Sequence, residues 1–73
     1  MEAYKTVVES KSGIRYLVIQ VSANGGSIWG TSIVNGRFRG NTRAMNAANV
    51  KVIGTATVTH DGSASLITLD GGA

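Results

Sequence analysis

The residues best suited to chemistry in this sequence are arginines and aromatic residues concentrated at positions 27–43, SIWGTSIVNGRFRGNTR. This segment contains the only tryptophan, the only phenylalanine and three of the four arginines: Trp29, Phe38, Arg37, Arg39 and Arg43. Guanidinium groups bind phosphate in a bidentate manner, and an exposed aromatic ring beside them can stack on a base. The segment therefore predicts a binding surface for an anionic partner, most simply RNA or DNA.

The element that would position these side chains is a hairpin turn at Asn35-Gly36. Asn-Gly between two β-prone runs is a strong signal for a type I′ turn, which needs positive φ at both central residues. It would join a strand at 27–34 to a short strand at 37–40. Because side chains alternate along a strand, Arg37 and Arg39 would share one face, with Phe38 on the other.

The charge distribution supports the same partner. The net charge is +3, and the four carboxylates lie near the two ends, at Glu2, Glu9, Asp61 and Asp70. No carboxylate occurs between Ser10 and His60, where six cations lie: Lys11, Arg15, Arg37, Arg39, Arg43 and Lys51. We therefore add Arg15 and Lys51 to the predicted site and expect one cationic patch. The alternative is a solvated cationic rim that only aids solubility.

Trp29 and Tyr16 are the aromatic residues predicted to stack on a base. For Trp29 the competing interpretation is a core anchor, because so small a domain has few large side chains. Phe38 is predicted to lie in the core for the same reason.

No catalytic or cofactor motif accompanies the arginines. One histidine and no cysteine do not provide a conventional structural zinc site. His60 and Asp61 are adjacent, so in a strand they would point to opposite faces, and an exposed turn histidine is the better interpretation. The glycine-containing stretches SANGGS and RFRGNTR do not match phosphate-loop spacings. We expect a non-enzymatic protein without a cofactor.

The length of 73 residues predicts a single domain over residues 1–73 with a small core and no disulfide. Oligomerisation would supply the stability that so small a core cannot provide. A threonine-rich face (Thr55, Thr57, Thr59) and unprotected sheet edges would serve such assembly, so a homo-oligomer is expected. No apolar run approaches the ~20 residues that span a bilayer, and no signal peptide is visible. We expect no membrane association and a cytoplasmic location.

Six short strands are predicted, at residues 3–9, 14–22, 27–34, 37–40, 50–60 and 63–69. The second, IRYLVIQVS, is apolar on both faces (Leu17, Ile19 and Val21 against Tyr16 and Val18), which is typical of a central or bent strand. Gly30 indicates a bulge or bend in the third. The fifth places Val50, Val52, Ala56 and Val58 inward.

The connecting segments are predicted from the residue types typical of helix caps and turns. Residues 41–49, NTRAMNAAN, are predicted to be non-β, with one helical turn at 43–48 capped by Thr42. Asp61-Gly62 would form the last hairpin turn, and residues 71–73 would be frayed.

This order of elements, with meandering strands, one short helical turn and a closing strand VKVIG, resembles the SH3-like and Sm-like small barrels over residues 4–54. An OB-like barrel is the next choice. The resemblance implies an all-β barrel with mobile binding loops and ring assembly through strand edges.

Two function hypotheses follow. The first is a non-enzymatic binding protein whose arginine-bearing hairpin contacts RNA, DNA or another anionic ligand. The second is an oligomeric structural or interaction module, of phage or mobile-element origin, that binds a protein or sequesters a nucleotide.

Overall fold

The computed structural model describes residues 1–61 and 64–70, which form one antiparallel sheet of six strands. The strands are β1 (Thr6–Ser10), β2 (Arg15–Val21), β3 (Ser27–Val34), β4 (Arg37–Asn46), β5 (Val50–Asp61) and β6 (Ala64–Asp70). A single 3-10 turn, Ala47–Asn49, joins β4 to β5, and the spatial order is β4-β3-β2-β1-β5-β6. The predicted all-β fold is confirmed. Within these described ranges no helix has the length and apolar character to cross a membrane.

Two separate cores lie on opposite faces of the sheet. Side chains alternate along a strand, so Val7 and Val8 of β1 point to different sides. The first core contains Val7, Leu17, Ala56 and Ile67. The second core contains Val8, Tyr16, Val18 and Ile28, with Met45, Ala47 and Val50 packed against it. The sheet therefore buries apolar side chains on both of its sides.

Strand β2 is central and contributes to both cores, as its two apolar faces predicted. Leu17 pairs with Val7 of β1, whereas Tyr16 pairs with Val8. The pairing with β3 shifts register between Val18 and Gln20, which changes the alternation. As a result Val21 packs with Val18 in the second core, and the prediction that it shares a face with Leu17 is wrong.

The sheet curls into a small half-barrel whose two edge strands approach each other at one point. The Ile67 N–H of β6 donates a hydrogen bond to the Gly36 carbonyl at the turn between β3 and β4, at 2.7 Å. This bond brings the last strand against the hairpin that carries Arg37 and Arg39. The small-barrel prediction is confirmed at this level of detail.

The prediction that residues 41–49 are non-β is wrong for its first part. Strand β4 continues to Asn46, and Met45 and Ala44 pair with Ile28 and Trp29. The helical turn comes later, and its cap is Asn46, whose side-chain oxygen accepts the Ala48 N–H at 2.9 Å. Thr42, the predicted cap, lies in β4 opposite Thr31.

Register shifts also decide the predictions made for β5 and for Gly30. Between β1 and β5 a shift at Val7/Val8 places Ile53 and Ala56 on the first core, whereas Val52 pairs with Val8 on the other face and is 51% exposed instead of buried. Gly30 pairs with Val18 and Arg43, and a bulge lies directly beside it, because the β2–β3 register shifts between the Val18–Gly30 and Gln20–Trp29 pairs. The β3–β4 shift occurs between Thr31 and Ile33.

Some predictions concern positions that the structure does not describe. Gly62 of the predicted Asp61-Gly62 turn and the predicted frayed end at 71–73 lie outside the described residues, as do the side chains of His60 and Asp61.

Candidate anion-binding surface

The Asn35-Gly36 turn has the predicted conformation. The φ angles are 54° at Asn35 and 76° at Gly36, as a type I′ turn requires. Beyond it, Val34 pairs with Arg37 and Ile33 pairs with Phe38. We call residues 34–39 the hairpin tip. Arg37 and Arg39 are exposed there, in the two-stranded end of the sheet.

A wide bulge follows the hairpin tip. Because Ile33 pairs with Phe38 and Thr31 with Thr42, residues 39–41 of β4 lie opposite Ser32 alone. The Ser32 hydroxyl donates to the Arg39 carbonyl, and Gly40 has a φ of 86°. Phe38 remains 37% exposed in this arrangement, so the prediction that it lies in the core is wrong.

Arg43 lies beyond the bulge, in different surroundings. It pairs with Gly30, on the face of the sheet that carries the second core. There it lines a concavity of about 490 Å³, which we call the groove. The groove is bounded by the β1–β2 turn, the end of β4 and the start of β5. Its lining residues are Ser10, Lys11, Ser12, Tyr16, Arg43, Ala44, Met45, Asn46, Asn49 and Val50.

Lys51 lines a second concavity of about 390 Å³ that adjoins the groove. The two share Ser10, Lys11, Asn49 and Val50. Glu9 also lines the second concavity and pairs across the sheet with Lys51. The positive charge of Lys51 is therefore placed beside a carboxylate.

Arg15 forms an ion pair with the same carboxylate. The Arg15 Nε lies 3.5 Å from Glu9 Oε2, and the two residues pair between β1 and β2. The neighbouring pair, Val8 and Tyr16, points into the second core. Because side chains alternate along a strand, Arg15 lies on the face of the first core, away from Arg43. The prediction that all six central cations are unopposed is wrong for Arg15.

The aromatic residues are less accessible than the arginines. Tyr16 is only 5% exposed, because its ring belongs to the second core, and this burial is at odds with its predicted role in base stacking. Trp29 is half-buried and pairs with Gln20 and Ala44. By alternation along β3 it lies on the opposite face from the Gly30–Arg43 pair.

The structure thus divides the predicted patch into two cationic regions. Arg37 and Arg39 lie in the hairpin tip, whereas Arg43 joins Lys11 in the groove. The β3 partners of Arg37 and Arg43 are four residues apart, so the two arginines are separated by about 13 Å along the sheet. Lys11, Asn46 and Asn49 were missed as site residues. The sequence pointed to Lys11 only as one of the six central cations, and it gave no signal for the two asparagines. No local motif connects a β1–β2 turn to residues more than thirty positions away.

No three His, Cys, Asp or Glu residues within the described ranges come together in a way that would hold a metal ion. Comparison with protein-family models, with curated proteins and with solved structures gives no match for the chain. Any function must therefore be argued from the arrangement of its side chains.

Proposed function

We propose that the protein is a non-enzymatic nucleic-acid-binding protein that contacts the phosphate backbone through the arginines of β4. The observation that carries this proposal is that Arg37, Arg39 and Arg43 are all exposed on one edge strand. Within the described part of the chain none of them forms an ion pair, while Lys5 and Arg15 pair with Glu2 and Glu9. Unpaired guanidinium groups keep their bidentate donors available for phosphate.

The spacing of these arginines suits an extended anion better than a small one. Residues two apart on a strand are about 7 Å apart, and Arg37 and Arg43, whose β3 partners are four residues apart, are about 13 Å apart along the sheet. Several phosphates of one strand would therefore be contacted together. Phe38 lies between Arg37 and Arg39 in sequence and is 37% exposed, so we assign the stacking role to it in place of Tyr16. The half-buried Trp29 is the second aromatic residue proposed for stacking.

The salt dependence of binding tests the proposal directly. If three phosphates are neutralised, the logarithm of the association constant falls with the logarithm of salt concentration with a slope of about −2 for a single strand. Fluorescence anisotropy of a labelled oligonucleotide over a range of salt concentrations measures this slope. An affinity that does not change from low to high salt contradicts the proposal.

A pair of double variants separates the β4 arginines from general charge. Arg37→Gln with Arg39→Gln is expected to weaken binding by about tenfold or more, because two charge-assisted contacts are lost. The matched control is Lys5→Gln with Arg15→Gln, which removes the same charge from two cations already paired with carboxylates. We expect less than about a twofold change in the control. Equal losses in both variants would count against a specific role of β4.

The second candidate is an oligomeric module that assembles through sheet edges. One observation favours it: β4 is an edge strand of ten residues, nine of them exposed, and β6 bonds to the turn that precedes it at Gly36. A long exposed edge can pair with another chain. For this candidate we propose an SH3-like or Sm-like barrel, because β5 follows the 3-10 turn and returns to pair with β1. The proposed origin is a phage or a mobile element.

Mass in solution and absorbance distinguish the two candidates. Light scattering of the purified protein gives the number of subunits, and the ratio of absorbance at the nucleic-acid and protein maxima shows whether nucleic acid co-purifies. A stable oligomer that binds neither RNA nor DNA favours the interaction module.

A further inference from the structure

We propose that the groove binds one unstacked nucleotide, so that the protein prefers single-stranded over duplex nucleic acid. This inference rests on the proposed nucleic-acid binding and identifies the form of partner that the site selects. It adds Lys11 and Asn46 to the residues that contact the ligand.

The shape of the groove is the first argument. Its floor is apolar, formed by the half-buried Met45 and Val50, which pack on the second core. Its rims are polar and come from the β1–β2 turn and the end of β4. The volume of about 490 Å³ lies within the range of small-ligand pockets. A flat base over an apolar floor with its phosphate at a polar rim would match this arrangement.

The donors around the groove are the second argument. Lys11 and Arg43 approach it from different rims and provide donors only. The side-chain oxygen of Asn46 already accepts the Ala48 N–H, which leaves its NH₂ group for a ligand. The hydroxyls of Ser10 and Ser12 bond to each other at 2.9 Å. The groove is therefore rich in donors and matches a ligand rich in acceptors, such as a phosphate and the edge of a base.

The charge of the groove is the third argument. All ten of its lining residues lie in the described part of the chain, and none is acidic. The carboxylate of Glu9 lies in the adjoining concavity and is paired with Arg15. An anionic ligand in the groove would meet two cations without competition from a lining carboxylate.

The contrast with the hairpin tip gives the preference for single strands. The tip is exposed and can contact phosphates of a duplex or of a single strand. The groove is concave, and a base that is paired and stacked in a duplex cannot enter it without being flipped out, at a cost of a few kcal/mol. A single strand presents its bases without that cost.

The test uses the full chain and three probes: a fluorescein-labelled DNA strand of about twelve nucleotides, the same strand annealed to its complement, and AMP. The variant Lys11→Gln/Arg43→Gln removes both groove cations. The matched control, Arg37→Gln/Arg39→Gln, removes two cations of the hairpin tip instead. Circular dichroism and thermal unfolding establish that each variant is folded, as expected for substitutions of exposed side chains.

We expect the unaltered protein to bind the single strand about tenfold more tightly than the duplex, a preference comparable to one bidentate base contact. Lys11→Gln/Arg43→Gln is expected to abolish that preference, and Arg37→Gln/Arg39→Gln to weaken both forms alike. Amide NMR signals of Ser12, Asn46 and Asn49 should shift on binding. Shifts with AMP identify a free nucleotide as sufficient, and shifts with the strand alone identify a nucleotide within a chain.

Two results overturn the inference. If single strand and duplex bind equally, or if the groove variant weakens both by the same factor, the groove does not select a nucleotide, although nucleic-acid binding itself stands. If neither form binds at low salt and AMP leaves the groove signals unchanged, both the inference and the proposed function fail.

Discussion

The two ends of β4 carry the same type of residue in contrasting surroundings. Near the hairpin tip Arg37 pairs with Val34, which is 41% exposed, and both side chains lie close to solvent. At the other end Arg43 pairs with the buried Gly30, and its neighbour Met45 packs on the second core. The surroundings of each arginine thus follow from its partner on β3. Arg37, opposite the exposed Val34, lies at the hairpin tip, and Arg43, opposite the buried Gly30, lines the groove.

The comparison teaches that charge counted along a sequence does not give the shape of a binding site. Arg37 and Arg39 can attract an anion, but neither of them lines the groove or the concavity that adjoins it. Arg43 meets Lys11 because β1, β2 and the 3-10 turn bring their ends together over the second core. The following substitutions test whether this core shapes the groove while the hairpin tip is independent of it.

The largest effect is expected for Ile28→Ala. Ile28 is fully buried in the second core and pairs with Met45 at the groove end of β4. Its truncation is expected to lower the free energy of unfolding by about 2–5 kcal/mol, because a cavity remains. Denaturant unfolding measures the change. The control is Val34→Ala, at the hairpin-tip end of β3, which should change the free energy of unfolding by about 0.5 kcal/mol or less. Similar losses at both positions would show that the two ends of the β3–β4 hairpin do not differ in packing.

A smaller loss is expected for Gly30→Ala. A Cβ at Gly30 would lie 3.0 Å from both Met45 Cε and Tyr16 Cβ, so the floor of the groove must shift. Such overpacking typically costs about 1–3 kcal/mol. We also expect weaker binding of the single strand. In the control Gly40→Ala the nearest atom is 3.6 Å away and only the positive φ is strained, so groove binding should be retained. Unchanged single-strand binding by Gly30→Ala would show that the packing of the groove floor does not affect binding.

The smallest effect is expected for Gly36→Ala, at the hairpin tip. Gly36 has a φ of 76°, and an added Cβ would lie 3.2 Å from the Ile67 carbonyl oxygen. We expect a loss of about 1 kcal/mol from backbone strain and a looser contact with β6. The preference for single strands should persist, because the groove lies at the other end of β4. Titration with the single-stranded and duplex probes measures the preference, and denaturant unfolding measures the stability. A lost preference would show that the hairpin tip influences the groove.

The sequence predicted the elements whose signals are local. The type I′ turn follows from Asn35-Gly36, the bounds of β3 agree with the predicted strand at 27–34, and the central place of β2 follows from its two apolar faces. Each of these depends on residues adjacent in the chain. The all-β fold could be inferred from their sum.

The features that were missed depend on partners distant in sequence. Residues 43–46 have little β propensity, yet pairing with β3 holds them in an extended strand, so tertiary contacts override the local preference. The register shifts that put Val52 and Ala56 on different faces and move Val21 to the second core have no local sequence signal. The groove could not be predicted for the same reason, because it forms only where three segments meet.

The hydrogen bond from Ile67 to Gly36 gives this small sheet a local reporter. The amide proton of Ile67 is protected only while β6 stays against the turn, so its exchange with solvent records each separation of the two outer strands. Amides of β1 and β2, which are paired on both sides, exchange only through larger openings. The ratio of these rates would measure how often the half-barrel opens without unfolding.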